Sequence, residues 1–138
     1  MKNIFRYFLF GVLLLSTALY ANQKQNILIL HSYHQSYKWT DDINKGINSV
    51  LKEKFTDVEF FVEYMDTKRY VSEKHYKNLF NIYENKYKNI KFDVIISSDN
   101  NAFNFLQKYN TTLFKSAPVV FCGVNYIKKE DLVGVENT

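Results

Sequence analysis

Ile27-Leu28-Ile29-Leu30-His31-Ser32-Tyr33-His34-Gln35-Ser36-Tyr37-Lys38-Trp39-Thr40 runs from four aliphatic residues into a polar and aromatic lip, and an amphipathic segment starts at Thr40. A short continuous apolar run followed by a helical period reads as a buried strand leading into a helix. The pattern recurs downstream. Val58–Tyr64, Phe92–Ile96 and Val119–Cys122 are further apolar runs, and the last two end in Ser97-Ser98-Asp99-Asn100 and Gly123-Val124-Asn125.

Each gap between runs carries helical spacing. Ile43, Ile47, Val50, Leu51 and Phe55 share a face in the first, with Thr40 expected as N-cap and Asp41 and Asp42 favourable to the helix dipole. In the second gap Ser72 is the expected cap of a helix presenting Tyr76, Leu79, Phe80, Tyr83 and Tyr87. Asn100 or Asn101 is expected to open a third helix carrying Phe103, Leu106, Tyr109 and Leu113. Strands alternating with helices, and apolar in continuous rather than alternating fashion, predict an α/β, doubly wound parallel sheet covered on both faces. With right-handed crossovers, 2-1-3-4 is the simplest strand order. The single proline, Pro118, stands at the start of the fourth strand, where a missing N–H is tolerated.

Upstream of this pattern, Lys2 and Arg6 precede the apolar stretch Tyr7 to Tyr20, which ends among Ser16, Thr17, Ala18 and Ala21. That is the layout of a signal peptide spanning residues 1–21, with cleavage expected after Ala21 and, as second choice, after Ala18. The competing reading is an uncleaved anchor, but the run falls short of the ~20 residues that span a bilayer. Export to the periplasm follows as the expected location. Residues 22–138 then form one domain, small for any two-lobed protein. The formal charge of +4 includes Lys2 and Arg6, so the mature part carries +2, with lysines interspersed among acidic residues. This gives no case for a nucleic-acid partner. The only cysteine, Cys122, cannot form an internal disulfide, and its place after Val119, Val120 and Phe121 predicts a buried small hydrophobe.

In an open parallel sheet, ligands bind outside the carboxyl ends of the strands. Ser32, Tyr33, Tyr37 and Trp39 lie at the first such end, where aromatic rings can wall a small-molecule site; covering the sheet edge is the plainer role for the rings. Ser98, Asp99 and Asn100 lie at the third end. There Asp99 can meet a ligand's ammonium while hydroxyls and helix N–H groups meet a carboxylate, or Asp99 and Asn100 simply cap the helix. Gly123 and Asn125 at the fourth end offer a close backbone approach and one amide. Asp66 can face the crevice or pair with Lys68 or Arg69. His31 and His34 lack a nearby cysteine or acidic third ligand, so no metal is expected, and no cofactor. Asn110-Thr111-Thr112 matches a glycosylation sequon to which the bacterial-looking leader gives no weight. The chain has no Gly-x-Gly-x-x-Gly, Gly-x-Ser-x-Gly, P-loop or Cys-x-x-Cys motif, which favours binding over catalysis.

Taken together, Ile27 to His34 with Trp39-Thr40-Asp41, then Glu63 to Arg69, Ser97 to Asn100 and Phe121 to Asn125 resemble the first lobe of the ABC-transporter-type substrate-binding proteins, a family also found as periplasmic sensor domains of histidine kinases and diguanylate cyclases. The resemblance covers essentially the whole mature chain. It implies a type I periplasmic-binding fold in which two Rossmann-like lobes close on a small solute. By position it implies first-lobe contacts from Ser32, Tyr33, Tyr37, Trp39, Ser98, Asp99, Asn100 and Asn125. Family members continue into a second lobe, whereas this sequence ends at Thr138, near a short fifth strand or hinge at Leu132 to Glu136, so a truncated N-terminal lobe is expected. The expected function is periplasmic binding of a small organic solute, such as an amino acid, for an ABC permease. The alternatives are a ligand sensor for a kinase or cyclase output module, or an exported α/β enzyme using Asp99 with His31 or His34.

Overall fold

The computed structural model describes residues 24–128 and Glu130. The expected signal peptide and the hinge segment, with Val133 and Val135, lie outside the described residues. Among the described residues no helix is long and apolar enough to cross a membrane.

Four strands and three helices alternate: β1 (Gln25–His31), α1 (Lys38–Lys54), β2 (Val58–Tyr64), α2 (Glu73–Tyr87), β3 (Val94–Ser98), α3 (Asp99–Phe114) and β4 (Val119–Cys122). All pairings are parallel, in the order β2-β1-β3-β4. The doubly wound parallel sheet is thus as the sequence predicts. β1 is central because five consecutive residues, Ile27 to His31, can be buried on both faces at once. Its register sets Leu28 beside Phe61 and Ile95, and Ile29 beside Val62 and Ile96.

The two faces are covered unequally. Leu28, Leu30, Ile95 and Val119 meet Leu79, Tyr83 and Tyr87 of α2 and Ala102, Phe105, Leu106, Leu113 and Phe114 of α3, with Phe92 beneath them. Aromatic edges fill this layer: Phe92 meets Tyr87 edge-on at 5.1 Å and Phe61 at 5.3 Å. Full burial of such side chains stabilises by ~1.5–3 kcal/mol each. The opposite face carries Ile27, Ile29 and His31 under α1 alone, and Val120 of the edge strand is half exposed there. Val50 and Phe55, expected on the inner face of the first helix, are also about half exposed. Among the described residues α1 is the one helix on this side, with no second helix beside it to bury them.

Helix starts differ from expectation in an informative way. Ser72 caps α2 as predicted, accepting from the His75 N–H at 3.1 Å. α1 instead begins at Lys38 with Tyr37 in the N-cap position, and Thr40 is buried inside the first turn without a partner for its hydroxyl. Asp41 reaches back to accept the Ser36 N–H at 3.0 Å, so a first-turn carboxylate takes over the capping. α3 begins at Asp99, and neither Ser98 nor Asp99 caps it with a side chain. The amino edge of the sheet is fastened separately. Asn26 N–H donates to Asp93 Oδ2 at 2.9 Å, and the Asp93 N–H returns a bond to Asn26 O at 2.9 Å.

Candidate functional site

Below the carboxyl edge lies a layer of committed polar groups. Ser32 Oγ donates to Ser98 O at 2.7 Å and accepts from the Ala102 N–H at 2.8 Å, fixing the start of α3 to the end of β1. Thr67 Oγ1 donates to Ser32 O at 2.6 Å and accepts from Asn101 Nδ2 at 2.9 Å, while Asn101 Oδ1 accepts from the Tyr76 hydroxyl at 3.2 Å. Ser98 Oγ and His31 Nδ1 share a hydrogen bond of 2.8 Å, and the His31 ring stacks on Tyr64 at 5.1 Å. Burial lowers the His31 pKa against opposing effects of Asn44 and Asp41, which favours a neutral ring. Ser32, Ser98 and His31 are no more than 1 % exposed. Ser32 and Ser98, expected from their position to contact a solute, are thus placed with both hydroxyls buried beneath the edge and engaged in internal hydrogen bonds, as is His31.

Above this floor the loops converge. Trp39, in the first turn of α1, donates its indole N–H to Asp99 Oδ2 at 2.9 Å. The Tyr33 hydroxyl lies close enough to the Asp99 carboxylate for each to shift the other's pKa, and Tyr33 meets Tyr37 edge-on at 5.4 Å. Asp99 does not act as a helix cap; its carboxylate organises the aromatic rings. Burial raises its pKa, opposed by the Trp39 and Tyr33 hydrogen bonds and by the charge of Lys68. Burial, then the Asp99 charge, raises that of Tyr33. Asn100 holds the β4 loop through its amide, donating to Asn125 O at 3.0 Å and accepting from the Asn125 N–H at 3.1 Å. That leaves the exposed Asn125 side chain, rather than Asn100, at the lip.

Positive φ recurs at this edge, at Ser36, Asp66, Asp99, Tyr126 and Gly123 (69°), and is also found at Lys115 and Ser116, at the end of α3 that leads into β4. Asp99 itself has φ 69°, a left-handed conformation that costs a residue with a Cβ roughly 1–2 kcal/mol, less for Asp or Asn. A Cβ at Gly123 would lie 3.7 Å from Asp99 Cγ, so the β4 loop backbone packs directly on the carboxyl group.

Lys68 is the residue that sequence reasoning passed over. Asp66 is occupied by Arg69 Nε at 2.8 Å, and His34 Nδ1 lies 3.3 Å from the same oxygen. Lys68 instead extends its ammonium over Tyr33 and Tyr37, 5.2 Å and 5.4 Å from the ring centroids. Its position just past the end of β2 was the available signal. Among the described residues no group of His, Cys, Asp and Glu could hold a metal ion. Cys122 is half-buried rather than fully buried, its Sγ 3.7 Å from Ser97 O, and burial raises the thiol pKa, the Asp99 charge adding to it. A hollow of about 150 Å³ between α2 and α3, lined by Glu73, Tyr76 and Lys108 among others, sits away from the strand tips and is spanned by the Lys108–Glu73 ion pair.

The edge therefore presents an aromatic corner, one ammonium and one amide over a rigid polar floor, with a shielded carboxylate tying them together. Comparison of the chain with protein families, with curated proteins and with solved structures finds no match.

Proposed function

We propose that this chain is the solute-binding lobe of an exported binding protein, taking a small organic solute across the carboxyl edge of its parallel sheet. The observation that carries the reading is the Asp99 elbow. A strained carboxylate between β3 and α3 is held by Trp39 and Tyr33 from the β1 side and packed on by the β4 loop, at the place where open α/β sheets bind ligands. Trp39, about half exposed, and the partly exposed Tyr33 and Tyr37 supply apolar wall; Asn125 supplies polar recognition. Noncatalytic binding fits the burial of His31 and the engagement of His34 beside Asp66, which leave Asp99 without a histidine partner. The open lip covers one side of a solute, whereas binding sites bury ~70–90% of a small ligand, so tight affinity needs a second surface closing over it.

Trp39 is the sole tryptophan, which makes the test direct. A panel of amino acids and related solutes is titrated while the Trp39 indole N–H resonance is followed. Saturable shifts are expected for at least one solute class, and calorimetric binding that leaves the indole untouched would refute the site. Export predicts a mature protein beginning at Asn22; periplasmic material retaining Met1 by mass spectrometry would contradict it.

A further inference from the structure

Building on the solute-binding reading, we propose that Lys68 is the specificity-determining residue of the edge and that it selects solutes carrying an oxyanion on a flat apolar body. The charged groups at the lip do not contribute equally. Asp99 is 5 % exposed and already accepts from the Trp39 indole N–H, so its negative charge is largely covered. Arg69 is bound to Asp66, and His34 lies against the same oxygen. Lys38, at the start of α1, pairs with Asp42 at 2.6 Å. Lys68 is exposed, and among the described residues it forms no ion pair with a carboxylate.

What holds Lys68 is a pair of aromatic faces. A cation over tyrosine at an exposed site is weakly held, and lysine is a flexible point charge with three donors. An arriving carboxylate or phosphate offers charge-assisted hydrogen bonds that are stronger than this contact. The ammonium can therefore turn from Tyr33 and Tyr37 to the solute, and the ring faces it leaves become available to the solute's apolar part. One residue thus couples charge recognition to opening of the aromatic corner.

The test uses four probes sharing a phenyl ring: 3-phenylpropionate, phenyl phosphate, 2-phenylethanol and phenethylamine. Each is titrated into the full chain while the Trp39 indole resonance is followed. One or both anions should bind about tenfold or more tighter than the amine, the step expected for one charge-assisted bond; the tighter anion distinguishes a phosphate from a carboxylate site. K68M should abolish this preference, bringing anions and amine to within about twofold of each other, since a tenfold change is what one such bond supplies. K68R should retain it. K88M, which removes the same charge from the other end of α2, should not alter it. Equal binding of anions and amine by wild type, or a K88M effect matching K68M, would overturn the Lys68 assignment and leave the site standing. No perturbation of Trp39 by any probe would remove the aromatic solute site itself, and the assignment with it.

Discussion

Replacing Ser32 by alanine separates a structural floor from a ligand contact. The Ser32 hydroxyl is fully buried, donates to Ser98 O at 2.7 Å and accepts from the Ala102 N–H at 2.8 Å. In S32A the Ser98 carbonyl keeps the bond from the Ser32 N–H at 3.2 Å. The hydroxyl's two buried bonds, to Ser98 O and from the Ala102 N–H, are both lost. A buried hydrogen bond contributes ~0.5–1.5 kcal/mol, so a loss of about 2 kcal/mol is expected for the pair. With a urea m-value of ~2 kcal/mol/M the midpoint falls by about 1 M with the slope unchanged, and thermal unfolding falls by roughly 10 °C. Ser49 is the control: its hydroxyl bonds Gly46 O at 2.8 Å on the exposed side of α1, and S49A should stay within ~0.5 kcal/mol of wild type. The assay is urea unfolding followed by circular dichroism. An S32A midpoint equal to wild type, combined with lost solute binding, would refute the floor and return Ser32 to the role expected from sequence.

Two further outcomes concern pH. Burial raises the Asp99 pKa above its ordinary 3.8, so just above that value the folded chain holds a proton that the unfolded chain has released. This contribution is full below 3.8 and is lost as pH rises through the raised value; the stability of wild type relative to D99N should fall across that window, and urea midpoints for the pair that diverge in the opposite direction would contradict it. Burial pushes the Tyr83 and Tyr87 hydroxyls well above 10.0, with the Glu63 carboxylate adding to both. Both keep their protons when folded, so stability declines above pH 10 and tyrosinate absorbance should end in a step that coincides with loss of helical signal; smooth ionisation of every tyrosine before unfolding would show that the two are accessible.

The fold was legible because it rests on periodicity. Ile27 to Leu30 and Val119 to Cys122 are short, continuously apolar runs between helical segments, the pattern of strands in a parallel sheet, and 2-1-3-4 is the simplest order once crossovers are right-handed. The third strand was displaced by two residues, Val94–Ser98 rather than Phe92–Ile96, because Phe92 packs into the aromatic core while Asp93 bonds Asn26. The tips were legible as places and less so as roles. Position alone put Ser32, Ser98, Asp99 and Asn100 at one edge but did not reveal which hydroxyl would turn inward. That depends on which backbone groups lie within reach of each hydroxyl, as Ser98 O and the Ala102 N–H do for Ser32. Lys68 was hidden by the neighbouring Asp66 and Arg69, which pair with each other and free it for the tyrosines.

The division between floor and lip explains how a four-stranded sheet can hold a strained site. Each tip is tied to a neighbour by a bond that is not part of the lip: Ser32 to Ala102, Thr67 to Ser32 and Asn101, and Asn100 to Asn125. These bonds over-determine the loops, which is the condition under which positive φ at Asp99 persists. A carboxylate held in that way needs no solute to satisfy it, because Trp39 donates to it and Lys68 lowers its pKa by charge in the free protein. Its effect is then transmitted through the rings it orients, and the groups that face outward, Lys68 and Asn125 with the aromatic corner, can change the chemistry of recognition without disturbing the fold beneath. On the proposed solute-binding reading, specificity and folding stability therefore reside in different residues, separated by a single layer of hydrogen bonds.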